Sequence, residues 1–569
     1  MKNIIQFSIC FFFILHSQFS IGQFTHADTL RGSNGPGRNW WDVTKYDLHV
    51  KFNVEDKSIS GWNKITFKVL GKESDMQIDM QEPMIIDSIL VEQPDFGNFD
   101  GSKGHGLIPT IFRKAVYTKS GNAYFIQYPF LQLNIKKDLI IYYHGKPQVA
   151  LNPPWNGGII YKRDEYNNPW ISIACQGLGA SVWYPCKDYQ GDEPDSAELN
   201  ITAPSEFVSV ANGKLRSKIE NKDGTSTYSW AVVNPINNYD IIPYIGRYVN
   251  FNEVYKGEKG NLNMNYWVLD YNLEKAKKQF ADAPKMMKAF EYWFGPYPFY
   301  EDGYKLVEAP HPGMEHQSAI AYGNHYQNGY YKNGDLSASG WGLKWDYIIV
   351  HESAHEWFGN NITTKDIADM WVHEGFADYA ETLFTEYYYG KQAANEYVIG
   401  LRKRIENDKP IIGPYGVNKE GSVDMYYKGS NMIHTIRQVI NDDEKFRNIL
   451  IGLNKTFYHQ TVITKQIEEY ISKTSGKDLS KIFDQYLRTT MIPTLEYKIE
   501  KARPDDRVGR GNLFYRWTNC VKGFNMPVKI LTAKDKYNFI YPTESLKQIK
   551  FMNNNLKVDD NFYIYTKKL

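Results

Sequence analysis

The sequence predicts a multidomain α+β protein: a β-rich N-terminal stretch, a mainly helical middle and a small β module at the end. Alternating apolar and polar residues from about 24 to 250, helical periodicity from Lys275 onward and a return to alternation after Pro493 carry that reading. At 569 residues the chain is too long for one ordinary domain and can bury several cores.

The first residues stand apart from the fold. Lys2 gives a charged start, Ile4 to Leu15 an apolar run, and Ser20-Ile21-Gly22 a small-residue cleavage site, the layout of a secretory signal. The run is shorter than the ~20 residues that span a bilayer. Residues 1–22 therefore read as a cleaved signal peptide, with a mature chain starting near Gln23, exported to a periplasm or secreted, and without a transmembrane segment. Of the four cysteines, Cys10 lies in the signal. Cys175, Cys186 and Cys520 remain, an odd number that allows at most one disulfide. Cys175 and Cys186 are the close pair, open to a bridge or to two buried thiols.

In the N-terminal stretch, Tyr46, Leu48, Val50, Phe52 and Val54 mark one face of a strand. Ile65, Phe67 and Val69 repeat the pattern across a turn expected around Gly61, and Leu199, Ile201 and the stretch from Tyr239 to Tyr248 continue it. Residues 23–250 thus form an N-terminal β domain. Lys275 to Phe294 reads as one helix stopped by Gly295-Pro296, and helices over Asp443 to Leu453, Thr464 to Ser472 and Leu479 to Leu487 complete a middle domain, 251–493. Alternation in Leu495, Tyr497 and Ile499, then in 513–517, 528–531 and 562–565, makes 494–569 a β module. With 66 basic against 65 acidic side chains and no basic run, nucleic acid is excluded as a partner, because phosphate binding needs a concentrated basic surface. Aromatic residues, 15% of the chain, read as core and half-buried surface.

The chemistry lies in His351-Glu352-Ser353-Ala354-His355 and, nineteen residues after His355, Glu374. On a helix of about 3.6 residues per turn, positions i and i+4 share a face, so both imidazoles reach one ion. Two His and a carboxylate leave the fourth tetrahedral position of a zinc ion open, and such an ion acidifies water and polarises a carbonyl. One Zn2+ is expected, although cobalt or manganese suits the same donors. Glu352 is placed to take the proton of water and hand it to a leaving amine. Glu374 opens a second helical pattern with Ala377, Tyr379, Ala380 and Leu383, expected to pack across the first.

From His351 to Glu381 the chain resembles the gluzincin zinc aminopeptidases, the family of aminopeptidase N and leukotriene hydrolase. H-E-x-x-H is followed by Trp357-Phe358-Gly359-Asn360 and by Trp371 to Ala377, which departs from the family's W-x-N-E-G-F-A only at His373. Pro312-Gly313-Met314-Glu315-His316 is similar to the family's G-x-M-E-N strand, and Tyr426-Tyr427-Lys428-Gly429 to its Y-x-K-G. Gln176 to Asp188 is similar to its substrate-side segment, and Ala211-Asn212-Gly213 to a following turn.

The resemblance implies a saddle-like N-terminal β domain, a thermolysin-like catalytic domain and a small C-terminal β-sandwich, with no C-terminal helical domain roofing the cleft, which should then admit longer peptides. It also implies His351, His355 and Glu374 as zinc ligands, Glu352 as general base and Tyr426 as donor to the oxyanion. Glu315 would bind the free α-amino group, with Gln176, Gly313 and Met314 as further substrate contacts and His311 near the first-residue pocket. Proline at 312 removes a backbone donor from the peptide-binding strand, and His316 changes what reaches the substrate backbone.

Three function classes follow from these residues. They are a zinc aminopeptidase acting on peptides with a free N-terminus, an endopeptidase or other zinc hydrolase such as an epoxide-opening enzyme, and a non-catalytic peptide-binding protein.

Overall fold

The computed structural model describes residues 24–72, 75–95, 109–500, 511–533, 536–553 and 555–569. The signal peptide read over 1–22 lies outside the described residues.

In the N-terminal domain the strand Trp41–Asn53 pairs antiparallel with Ser58–Val69 and parallel with Ser196–Pro204, at the centre of an eight-stranded sheet. Its alternation buries Tyr46, Leu48, Val50 and Phe52, as a period-2 pattern over one packed face requires. The turn falls at Val54–Lys57, not at Gly61, which sits within the second strand opposite Val50. Glycine is needed there for close approach, because a Cβ would lie 1.9 Å from the His49 carbonyl oxygen. A four-stranded sheet packs on the first and contains Pro169–Ala174, whose end delivers Cys175 and Gln176 to the domain boundary. Cys175 and Cys186 are free buried thiols and Cys520 is free and half-buried.

The middle domain begins with a five-stranded sheet in the order Tyr248–Gly257, Gly260–Leu269, Tyr304–Glu308, Ile320–Tyr322, Gly313–Met314. One face, with Leu262, Met264 and Tyr266, packs on the helices. The other, with Leu269, Val307, Met314 and Ala321, joins the core of the N-terminal domain. The sheet is therefore the wall through which the two domains meet. The expected helix over 275–294 is broken into Leu273–Gln279 and Ala283–Phe294 by a short turn at Phe280–Asp282. Pro284 lies in the first turn of the second helix, the one place where its missing N–H costs nothing. Gly295, at φ 87°, ends that helix.

Residues 494–569 form a four-stranded sheet and a hairpin, Val528–Ala533 with Lys536–Ile540. Trp517, Val528, Ile530 and Phe551 are buried together with Tyr486 and Leu487 of the helix Ser480–Arg488, in one continuous core. No helix among the described residues is long and apolar enough to cross a membrane.

Candidate metal centre and substrate cleft

The helix Tyr347–Ala354 starts where Asp346 accepts hydrogen bonds from the backbone N–H groups of Ile348 and Ile349, at 3.1 and 3.4 Å. That side-chain cap satisfies donors the helix itself cannot. The apolar run 347–350 is buried, which fixes the roll of the helix and turns His351 inward. Past His355 the helix opens: Phe358 and Gly359 leave helical geometry, Gly359 at φ 141°. Only glycine holds that backbone comfortably. The bend lets the Phe358 carbonyl accept from His355 Nδ1 at 3.1 Å, and Asn360 Nδ2 donates to the backbone oxygen of Glu315 at 2.9 Å. Trp357 Nε1 donates to the Gly295 carbonyl at 3.0 Å. Each residue of the Trp-Phe-Gly-Asn run thus has a stated structural task.

The helix Trp371–Tyr389 crosses behind the first and carries Glu374. Its Gly375 meets Gly429 of the helix Tyr427–Ile440; a Cβ on Gly429 would lie 3.2 Å from the Gly375 Cα. Two glycines at the crossing let the backbones approach closely, so Glu374 and Tyr426, each one or a few residues before them, come to the same cleft.

His351 Nε2, His355 Nε2 and a Glu374 oxygen converge, all within 4.8 Å of one another. Glu374 Oε2 is 3.6 Å from the first nitrogen and 3.4 Å from the second, and it has no hydrogen-bond donor among the described residues. Tetrahedral ligands about 2.1 Å from an ion stand about 3.4 Å apart. The buried carboxylate oxygen without a donor and the two nitrogens therefore fit one cation. The tautomers agree: His351 Nδ1 is 2.6 Å from Glu381 Oε1, and His355 Nδ1 faces a carbonyl, so both Nε2 lone pairs are free. Tyr397 in turn donates to the other Glu381 oxygen at 2.5 Å. Glu315, Glu352 and His355 form a second, overlapping donor group. Glu315 Oε1, however, already accepts from Gln176 Nε2 at 2.5 Å and Tyr239 OH at 3.0 Å.

Glu352 lies against the edge strand Gly313–Met314: a Cβ on Gly313 would be 2.7 Å from Glu352 Oε1 and 2.9 Å from Ile348. Burial pushes the Glu352 carboxyl up to about 7, while His351 and His355 pull it down. Burial likewise raises Glu315. The Tyr426 ring stacks over His351 with centroids 6.1 Å apart. Burial and then Glu374 hold its phenol well above the usual range, so it stays a donor.

Gln176 thus reaches Glu315 from the N-terminal domain, while Met314 faces that domain's core. The departures from the family pattern have visible consequences. His316 is fully buried, with Nδ1 2.8 Å from Tyr244 OH. His311 is buried, and burial lowers its pKa to about 4, with a backbone hydrogen bond to Gly313 opposing. His373 Nε2 accepts from the Thr364 N–H at 2.9 Å, tying the start of its helix to the strand Ile362–Thr364. The carbonyl of Pro312 still accepts from the Gly323 N–H at 2.8 Å.

Glu381 and Tyr239 were not singled out by sequence reasoning. Glu381 had a signal, since it follows Glu374 by seven residues on one helix face. Tyr239, one of 43 tyrosines, had none.

Residues 279–486 match the peptidase family M1 domain. The chain carries an M1 peptidase domain. It is 21% identical to leukotriene A-4 hydrolase of Xenopus laevis over 378 residues, covering 63% of this chain and 59% of that protein. To aminopeptidase B of Mus musculus it is 21% identical, over 57% of this chain and 50% of that protein. The chain therefore spans about three fifths or less of the length of these relatives. Among solved structures it is similar to an M1 zinc metallopeptidase from Deinococcus radiodurans, with a TM-score of 0.65 at 17% identity, covering 80% of this chain and 96% of that one. In fold, then, the M1 domain sits between a β-rich N-terminal domain and a C-terminal β module.

Proposed function

We propose that this protein is a zinc-dependent aminopeptidase that removes the first residue of peptides with a free N-terminus. The observation that carries the reading is the buried Glu315 carboxylate, held by Gln176 and Tyr239 beside the converged His351, His355 and Glu374 donors. A closed-off carboxylate at the end of the cleft suits an α-ammonium group, and anchoring it there sets which bond is cut.

His351, His355 and Glu374 would hold the ion, with Glu381 and the Phe358 carbonyl orienting the imidazoles. A bound zinc supplies Lewis acidity, lowering the pKa of water and polarising a carbonyl. Glu352 accepts the proton of the attacking water and returns it to the departing amine. Tyr426 donates its O–H to the oxygen on which charge develops, an interaction stronger in the transition state than with the neutral carbonyl. Gly313 and Met314 supply the strand edge along which the peptide lies. The signal sequence read over 1–22 supports action outside the cytoplasm, in a periplasm or after secretion, on exported or imported peptides.

The test is hydrolysis of free and N-acetylated aminoacyl-aminocoumarins by zinc-loaded protein starting at Gln23, with Glu352→Gln and Glu315→Ala beside it. Cleavage of free forms only, lost in the first variant and sharply reduced in the second, is expected. Cleavage of acetylated forms would turn the reading to an endopeptidase.

A further inference from the structure

The turn that follows Glu315 has no task in that mechanism, yet both domains grip it. Residues 316–319 link the edge strand Gly313–Met314 to the strand Ile320–Tyr322, and the Ala319 N–H closes the turn on the His316 carbonyl at 2.9 Å. Ser318 sits there fully buried at φ 55°. A residue with a side chain is strained in that conformation, and it persists only where its surroundings hold it. The Ser318 N–H donates to Glu356 Oε1 at 2.7 Å, and its Oγ accepts from the Gly213 N–H at 2.8 Å.

These two bonds lead to different walls of the cleft. Glu356 is fully buried and directly follows His355. Four residues further on, Asn360 Nδ2 reaches the Glu315 carbonyl at 2.9 Å. The segment carrying Glu315 is therefore tied to the chain leaving the metal helix at residue 315 and again at residue 318. Gly213 belongs to the Ala211-Asn212-Gly213 turn of the N-terminal domain. Asn212 Nδ2 donates to the Gln317 carbonyl at 2.7 Å while its side-chain oxygen accepts from the Ile242 N–H at 3.0 Å, and Lys305 donates to the Gly213 carbonyl. Gly213 stands at φ 70°, and a Cβ there would lie 2.0 Å from the Ala231 oxygen, so only glycine brings the turn this close. The same domain delivers Gln176 and Tyr239 to Glu315.

The span being held is short. A Glu315 oxygen lies within 4.8 Å of a His355 ring nitrogen. An α-amino nitrogen is only two bonds of about 1.5 Å from its scissile carbonyl carbon. A slip of about 1 Å in the Glu315 segment would leave either the amine or the carbonyl misplaced, and displacements of that size cost reactivity.

We propose that Ser318 is a positioning residue that sets the span between the amine anchor Glu315 and the metal ligands, its N–H latched to Glu356 and its hydroxyl receiving Gly213 from the N-terminal domain. This rests on the aminopeptidase reading above.

The amine contribution to binding reads that span without turnover. L-Leucine hydroxamate and its desamino analogue, 4-methylpentanoyl hydroxamate, would be titrated into zinc-loaded wild type, Ser318→Gly, Glu356→Met and Glu356→Gln, with zinc affinity followed by chelator competition. Wild type should bind the amine-bearing compound tighter by at least about tenfold, the size expected of a hydrogen bond between charged groups. That advantage should fall about fivefold in Ser318→Gly and about tenfold in Glu356→Met, and be kept in Glu356→Gln, whose amide oxygen still accepts from the Ser318 N–H. In Ser318→Gly, affinity for the desamino compound and for zinc should stay near wild type.

Glycine accepts φ 55° without strain, so Ser318→Gly folds whether or not the hydroxyl matters, and it carries the test alone if Glu356→Met does not fold. A Ser318→Gly protein that keeps the full amine advantage, or that loses affinity for both compounds equally, overturns the positioning role and leaves the aminopeptidase reading standing. Equal binding of the two compounds by wild type sinks that reading and the positioning role with it.

Discussion

The metal wall of the cleft is made by two helices of one domain, whereas the anchoring wall is assembled from loops and a strand edge belonging to two. On the first wall, His351, His355, Glu374 and Glu381 lie within thirty-one residues of sequence, and their spacing is set by helix geometry. On the second, Gln176 and Tyr239 meet Glu315 across 139 and 76 residues. Helices packed through Gly375 and Gly429 give a rigid wall suited to holding an ion. The anchoring wall depends on how the N-terminal domain docks, and it is there that this chain departs from the motif of the zinc aminopeptidases it resembles, at Pro312 and His316. The contrast teaches that chemistry and selectivity are held by separable parts of the fold, so damage to each should register in a different kinetic constant.

The largest effect should come from the metal wall. Glu352→Gln is expected to lower kcat by about a thousandfold while zinc content and melting temperature stay close to wild type, because the group removed only moves a proton. Gly313→Ala should cost about a hundredfold in kcat, since the new methyl would lie 2.7 Å from Glu352 Oε1 and 2.9 Å from Ile348 and must displace the base. If that variant keeps full activity, the edge strand yields more easily than its burial suggests. Glu381→Gln should weaken zinc binding by about ten- to a hundredfold in a chelator competition, the usual result of losing the carboxylate behind a ligating His. Unchanged affinity would mean that Tyr347, whose OH is 3.2 Å from the same nitrogen, suffices to orient His351.

On the anchoring wall, Tyr239→Phe removes one donor to Glu315. A hydrogen bond to a charged group is worth about 1.5–3 kcal/mol, so a rise in KM of about tenfold or more with little change in kcat is expected. A kcat loss as large as that of Glu352→Gln would break the division between the walls.

The same division separates what the sequence discloses from what it conceals. His351, His355 and Glu374 were legible because a helix converts spacing into direction. The β character of the N-terminal domain was legible because Tyr46 to Phe52 alternate so regularly. Gly61 misled because glycine marks both turns and close backbone approach; only the paired His49 carbonyl decides between them. The 3-10 turn at Phe280–Asp282 leaves no mark in the sequence because the apolar period continues across it while the backbone hydrogen bonding only tightens. Tyr239 escaped for another reason: its role exists only once two domains touch, and no local pattern records that contact. His316 is an intermediate case, since its departure from the motif was visible but its engagement with Tyr244 was not.

The smallest expected effect probes how far the anchoring wall extends. The segment before the first strand packs behind the loops that carry Gln176 and Glu420. Arg31 Nη1 donates to the Asp188 carbonyl at 2.8 Å and Nη2 to the Leu178 carbonyl at 3.0 Å, and the guanidinium lies 3.4 Å from Asp188 Oδ1. Gly32 presses on the other loop, where a Cβ would come 2.1 Å from the Asn418 nitrogen. One short segment therefore braces both loops from outside while touching none of the metal donors. The Arg31 side chain is 25% exposed, so its ion pair is screened, and its removal should cost only about 1 kcal/mol of stability. Since the bracing acts on the anchoring wall alone, Arg31→Ala should raise KM about two- to fivefold, leave kcat and zinc affinity near wild type, and be partly rescued by Arg31→Lys, which restores a donor without the fork. A fall in kcat with KM unchanged would show instead that the two walls are mechanically coupled through the N-terminal domain.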